Sequence, residues 1–158
     1  MAIIWTPILA FSRAMLIPAQ PALITSRQYF REAGLETSMM GPNFKAQFLD
    51  LEVPPAKKGE LVIRKLMDAS LDISILAEIE NLGEEAIISV SQFRVFLARN
   101  QNSRKQFLFY LRGKNGEVWS VEANWRGFIS GWDVYPDSVN QHRRKHSGGH
   151  QVVTHASK

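Results

Sequence analysis

Four histidines, His142, His146, His150 and His155, crowd the end of the chain and are its only imidazoles. The four-residue step from His142 to His146 places both rings on one face of a helical turn, the arrangement of a two-histidine metal site. Gly148-Gly149 stops any longer helix there, and no carboxylate follows Asn140 to complete a ligand set or orient the rings. His142 and His146 are the metal candidates this leaves. The tail otherwise reads as a solvated end with incidental histidines, and no cofactor is expected.

The other groups capable of proton transfer are the close carboxylates Glu78/Glu80 and Glu84/Glu85. On a strand, alternate positions face the same way, so Glu78 and Glu80 would converge for general acid–base work. A solvated strand face carries such pairs without any chemistry. The chain has no Gly-x-Ser-x-Gly elbow, phosphate-binding loop, dinucleotide glycine pattern or calcium loop. A small metal-dependent or acid–base hydrolase is therefore the alternative reading, and no catalytic residue is assigned.

Aromatic residues supply a third kind of chemistry. Trp119, Trp125 and Trp132 lie close together in the sequence, and an exposed indole platform stacks bases, sugars or a protein partner. Strict alternation turns Trp119, Val121 and Ala123 inward. Trp125 and Trp132, near strand ends, are the contact candidates.

Charge bears on the partner. The net charge is +4 and the isoelectric point is near 9.6. Residues 1–139 carry equal numbers of basic and acidic side chains, so the surplus belongs to Arg143, Arg144, Lys145 and Lys158. A folded nucleic-acid domain normally has a positive face of its own. Here the electrostatic footprint is a short arm, able to hold a polyanion in a salt-dependent way. A second basic cluster, Arg94, Arg99, Arg104 and Lys105, surrounds the connector 100–103. There Arg99 complements the negative end of a helix.

Elements of secondary structure must position these groups. With 158 residues, 45% hydrophobic and 22% charged, the composition suits one domain with a real core. Absence of cysteine removes disulfides, thiolate metal sites and thiol nucleophiles, and points to a reducing, cytoplasmic setting. Residues 2–11 are apolar but too few to span a bilayer, and Pro7, Arg13, Pro18 and Pro21 interrupt the stretch. No basic residue precedes the run, as a signal peptide requires. Residues 1–24 read as a poorly structured or leader segment, 25–139 as the domain, and 140–158 as a basic tail with one possible short strand.

Thr25 and Gln28 have capping-box spacing, which predicts a helix over 26–33 stopped by Gly34. A helical turn or two is expected after Asn43. Strands are expected at 61–67 and at 72–80, where Ile73, Ile75, Ala77 and Ile79 recur at period two, with a hairpin partner at 84–88. Ser89 and Gln92 form a second capping box before an apolar stripe, predicting a helix over 90–100. Phe107 to Leu111, Glu117 to Trp125 and Trp132 to Tyr135 are then a three-stranded meander. A three-residue loop with Gly116 left-handed pairs Leu111 with Trp119 and Phe109 with Val121, keeping both apolar sets on one face.

Over about residues 40–155 the chain resembles a group of small bacterial proteins with no assigned function. The residues that carry the likeness are Met40-Gly41-Pro42-Asn43-Phe44, the run from Ser70 to Glu78, and Phe109-Tyr110-Leu111-Arg112 with Asn115-Gly116. Trp119, Val121, Ala123, Trp125, Gly131-Trp132-Asp133-Val134, Ser138-Val139 and Gly149-His150-Gln151-Val152-Val153 complete it. The likeness implies a compact α+β domain and brings no catalytic residue. Taken together, the expectation is an α+β domain, an antiparallel sheet with a C-terminal meander and one main packed helix. Its expected role is a non-catalytic binding module for a protein or nucleic-acid partner, or an adaptor pairing through a sheet edge. Its oligomeric state is left open.

Overall fold

Leu61-Val62-Ile63 and Phe107 to Leu111 are apolar on successive residues, which demands strands covered on both faces. The computed structural model, which describes residues 6–140 and 145–156, places both inside a six-stranded sheet. The elements in chain order are β1 (Leu9–Ile17), β2 (Leu23–Ile24), α1 (Arg27–Arg31), a 3₁₀ turn at Thr37–Met39, α2 (Pro42–Phe48), β3 (Glu52–Val53) and β4 (Gly59–Leu66). They continue with α3 (Asp72–Asn81), α4 (Val90–Arg99), β5 (Gln106–Arg112), β6 (Val118–Arg126), β7 (Gly131–Ser138) and β8 (Gln151–His155). The large sheet runs β1-β4-β8-β5-β6-β7, and β2 with β3 makes a separate two-stranded ribbon. Every pairing in the large sheet is antiparallel except that of β5 with β8. The fold is mixed α and β with a mainly antiparallel sheet.

One face of the sheet carries the aromatic core. Phe107, Phe109, Leu111, Trp119, Val121 and Ala123 share it, and Phe93 and Phe96 of α4 pack edge-on against Phe109 and Phe107 at 4.8 Å. The register is the one that a three-residue loop requires: Leu111 faces Trp119, Phe109 faces Val121, Phe107 faces Ala123. Gly116 has φ +79°, open to glycine at no steric cost. Ser89 caps α4 through a complete capping box with Gln92.

Five expectations fail, each for a physical reason. Residues 72–81 are a helix. Ile75, Glu78 and Ile79 are buried with Asp72 while Ile73 is 74% exposed, a 3.6-residue stripe in which Leu76 belongs to the apolar side. Residues 84–88 form no strand, and their backbone pairs with the sheet through single bridges from Glu85 to His155 and from Ile87 to Tyr110. A single main helix is not what covers the sheet either. α3 lies on the face opposite α4, over Leu66, Leu108, Tyr110 and Val152.

The N-terminal segment is not structureless. Residues 9–17 pair along the whole of β4, from Leu9 with Leu66 to Ile17 with Gly59. Pro7 and Pro18 bracket that strand rather than interrupt it. The short strand expected in the tail is present as β8, but the tail is no solvated end, because β8 lies between β4 and β5 at the centre of the sheet. Among the described residues no helix is long and apolar enough to cross a membrane.

A smaller shift concerns α1. Ser26, not Thr25, is its N-cap, accepting from the Tyr29 amide at 3.1 Å. The Thr25 hydroxyl instead donates to the Phe48 carbonyl and accepts from the Leu51 amide, tying the ribbon to the end of α2.

Candidate functional site

On the α3 face of the sheet, Tyr110 of β5 and Glu122 of β6 point the same way, because Leu108 is opposite Glu122 and Tyr110 opposite Ser120. Above them, α3 begins with Asp72, where a carboxylate also complements the positive end of the helix. The third wall is the turn before β8. His146 exchanges both backbone hydrogen bonds with Ser70, and Gly149 and His150 bond the backbone of Leu66. Gly149 is left-handed, at φ +97°, and a Cβ on Gly148 would press on the Met67 carbonyl at 3.2 Å. The two glycines that rule out a helix here make the tight turn that aims both histidines at one place.

The result is a continuous chain of five side chains. The Tyr110 hydroxyl donates to Asp72 Oδ1 at 2.8 Å. His146 Nε2 lies 2.7 Å from the same oxygen, and His146 Nδ1 lies 2.9 Å from Glu122 Oε2. His150 Nε2 is 2.9 Å from Glu122 Oε1, and its Nδ1 is 2.8 Å from the Ser147 carbonyl. His146 is wholly buried, Asp72 is 2% exposed and Glu122 16%.

Carboxylates only accept when ionised, so a ring between two of them must donate from both nitrogens. His146 is therefore an imidazolium. Burial opposes its charge, but the hydrogen bonds and negative charges of Asp72 and Glu122 outweigh that and lift it to about 9. Burial likewise opposes the charge on Glu122. Hydrogen bonds from His146 and His150, with their positive charge, prevail and hold its carboxyl well below the usual carboxylate range. Tyr110 is driven the other way: burial, then the Asp72 charge and hydrogen bond, keep it neutral far above its ordinary value. The cluster is a buried ion network with a phenol at one end.

Several candidates are placed otherwise than their sequence suggested. Both nitrogens of His146 face carboxylates, so no lone pair remains to bind a metal. His142 lies outside the described residues, as do Arg143 and Arg144; Lys145 is exposed. Among the described residues there is no group of three histidines or carboxylates arranged to hold a metal ion. Glu78 and Glu80 do not converge, because a two-residue step on a helix diverges. Glu78 is buried and accepts from the amides of Ile8 and Leu9 at 2.8 and 2.6 Å, while Glu80 is exposed. Glu84 is paired with Arg64 at 2.7 Å and with Thr154, and Glu85 is exposed.

Trp132 is fully buried, its indole donating to the Leu97 carbonyl at 3.0 Å. Trp125 packs edge-on against it at 5.4 Å. Neither forms an open stacking platform. The second basic cluster is dispersed: Arg94 stacks on Tyr29 and bonds its carbonyl, and Arg99 holds the Leu16 carbonyl. Arg104 and Lys105 are exposed on the approach to β5.

Glu78 is a clamp for the N-terminal strand. In Glu78→Gln the two backbone donors lose a charged acceptor, at a cost of about 1–2 kcal/mol. Hydrogen exchange at Ile8 and Leu9 should accelerate while the centre of β4 stays protected.

Along α3 runs a solvent-open trough. Leu76, Ala86, Ile87, Val118 and Val139 form its apolar floor in a concavity of about 640 Å³. A neighbouring hollow of about 530 Å³ reaches Asp72 and Ile73 and shares Leu76, Glu80, Val139 and Asn140 with it. No family model, no curated protein and no solved structure matches this chain.

What the sequence missed at this site is the origin of the carboxylates. None lies in the tail, yet Asp72 and Glu122 arrive from a helix start and a strand distant in sequence. One signal was present: Glu122 alternates on the same face as the apolar Leu108 and Tyr110, where a charge needs a partner.

Proposed function

We propose that the protein is a non-catalytic interaction module whose buried histidine–carboxylate network is a structural pin and whose contact face is the trough beside α3. One observation carries this reading. The acid–base groups are bonded to one another and largely buried, with His146 wholly so, whereas the concavity next to them is open and floored by apolar side chains. A general base must reach a substrate proton within hydrogen-bond distance, and the wholly buried His146 does not. Open apolar concavities with a few polar groups are where soluble proteins take ligands. Val118, which opens β6, and Val139, just past the end of β7, both line that floor. Kinship with the small bacterial proteins the sequence resembles is part of this proposal and assigns no residue a role.

Two readouts test it together. Phenol and isopropanol, used as apolar probes on isotope-labelled protein, should shift resonances of Leu76, Val118 and Val139 and leave the imidazole signals of His146 and His150 in place. Hydrolysis of p-nitrophenyl acetate that disappears in folded His146→Gln protein would overturn it in favour of a hydrolase.

A further inference from the structure

The trough has a length and a charge as well as an apolar floor. Beyond Ile87, Arg112 and Gly116 it opens into a third concavity of about 700 Å³ that reaches Asp50, Glu52 and Pro54. Successive hollows that share walls make an elongated channel. A small rigid ligand fills one hollow, whereas an extended chain fills a row of them.

The rim is acidic. Glu80 and Glu85 are exposed on it and Glu117 is half-buried. Glu84 is already neutralised by Arg64. Among the described residues the cation on this stretch of the lining is Arg112, and its guanidinium donates to the Gly116 carbonyl at 2.6 Å. The third hollow adds Asp50 and Glu52 against Lys114. Such a wall repels a phosphate backbone or an acidic peptide and attracts cations, while the floor of Leu76, Ile87, Val118 and Val139 rewards apolar side chains between them.

Resting on the reading of the protein as an interaction module, we propose that the trough binds an extended segment of a partner protein in which lysine or arginine alternates with apolar residues. Alternation suits an extended chain, because successive side chains then point in opposite directions, apolar toward the floor and cationic toward the rim.

Labelled full-length protein titrated with a short peptide of alternating lysine and leucine tests this. The expected result is saturable shifts at Leu76, Glu85, Val118 and Val139 that weaken as salt is raised. Affinity should fall at least about tenfold in a Glu80→Lys/Glu85→Lys variant, two exposed positions whose reversal leaves melting nearly unchanged. A leucine–glutamate peptide should leave these residues unmoved. Equal binding of the leucine–glutamate and lysine peptides overturns the choice of partner and leaves the module reading intact. So do shifts of the trough produced by mixed-sequence DNA or RNA, or by raising the protein concentration alone. If the trough resonances respond to none of the peptides, nucleic acids or apolar probes, both readings fall.

Discussion

His146→Gln should lower the stability of the protein by about 3–5 kcal/mol, the range for removing one member of a buried ion network. The glutamine has one amide group where the imidazolium has two donors. It can satisfy Asp72 or Glu122, and its carbonyl then faces the other carboxylate across a contact built for 2.7–2.9 Å. For a chain of this size the loss corresponds to a fall in melting temperature of about 10 °C. Urea denaturation at pH 6 measures it. A double-mutant cycle with Asp72→Asn isolates the interaction: the double variant should be more stable than the sum of the single losses implies, by about 1–3 kcal/mol. Additive losses, or a single loss below about 1 kcal/mol, would mean that the cluster does not act as a unit.

Stability should also fall as the solution is made alkaline. In the unfolded chain histidine releases its proton near 6.5, and in the folded protein His146 holds its proton to about 9. A group whose folded value is raised contributes fully below its unfolded value and loses that contribution as pH climbs through the folded one. The stabilisation is thus complete below about pH 6.5 and nearly gone above pH 9, a loss of about 3 kcal/mol. Glu122 acts at the other side. Its carboxyl is held below the usual range, so its contribution is present above about 4.5 and declines as acid is added. Between those limits both are intact. Urea midpoints from pH 5 to pH 10 should trace this plateau and its alkaline descent, and the descent should vanish in His146→Gln. A flat wild-type profile from pH 6 to pH 9 would show that His146 releases its proton at the same pH in the folded and unfolded protein.

How far these features can be seen in the amino-acid sequence depends on whether the cause is local. The capping box at Ser89 and Gln92, the left-handed Gly116 and the register that pairs Leu111 with Trp119 follow from neighbours a few residues apart. The sequence of α3 is ambiguous because Asp72 to Glu80 satisfies two periods. Ile73 and Ile75 suit a strand, Ile75 and Ile79 suit a helix, and burial, which decides between them, is a tertiary fact. The first strand was hidden by prolines at its two ends, which look like interruptions until Leu9–Ile17 is seen lying between them.

The site was legible only in halves. The histidine spacing draws attention to His146, but from sequence the glycines after it are only a helix stop, and the turn by which they deliver His150 to Glu122 is seen in the fold alone. Asp72 and Glu122 lie 74 and 24 residues from His146 in sequence. No periodicity connects groups so far apart; the sheet and α3 do. The indoles mislead for the opposite reason. Position near a strand end suggested exposure for Trp132, yet Leu97 on α4 offers its carbonyl to the indole and the ring closes the core.

The account rests on His146 being a cation that joins Asp72 to Glu122 and so fastens the turn before the central strand β8 to α3 and β6. Nitrogen-15 spectra of the imidazole side chains across pH 5 to pH 10 report this directly. Both ring nitrogens of His146 should stay protonated at pH 7.5, with a midpoint near 9. A His146 ring that is neutral at pH 7.5, with one nitrogen bare, would contradict it.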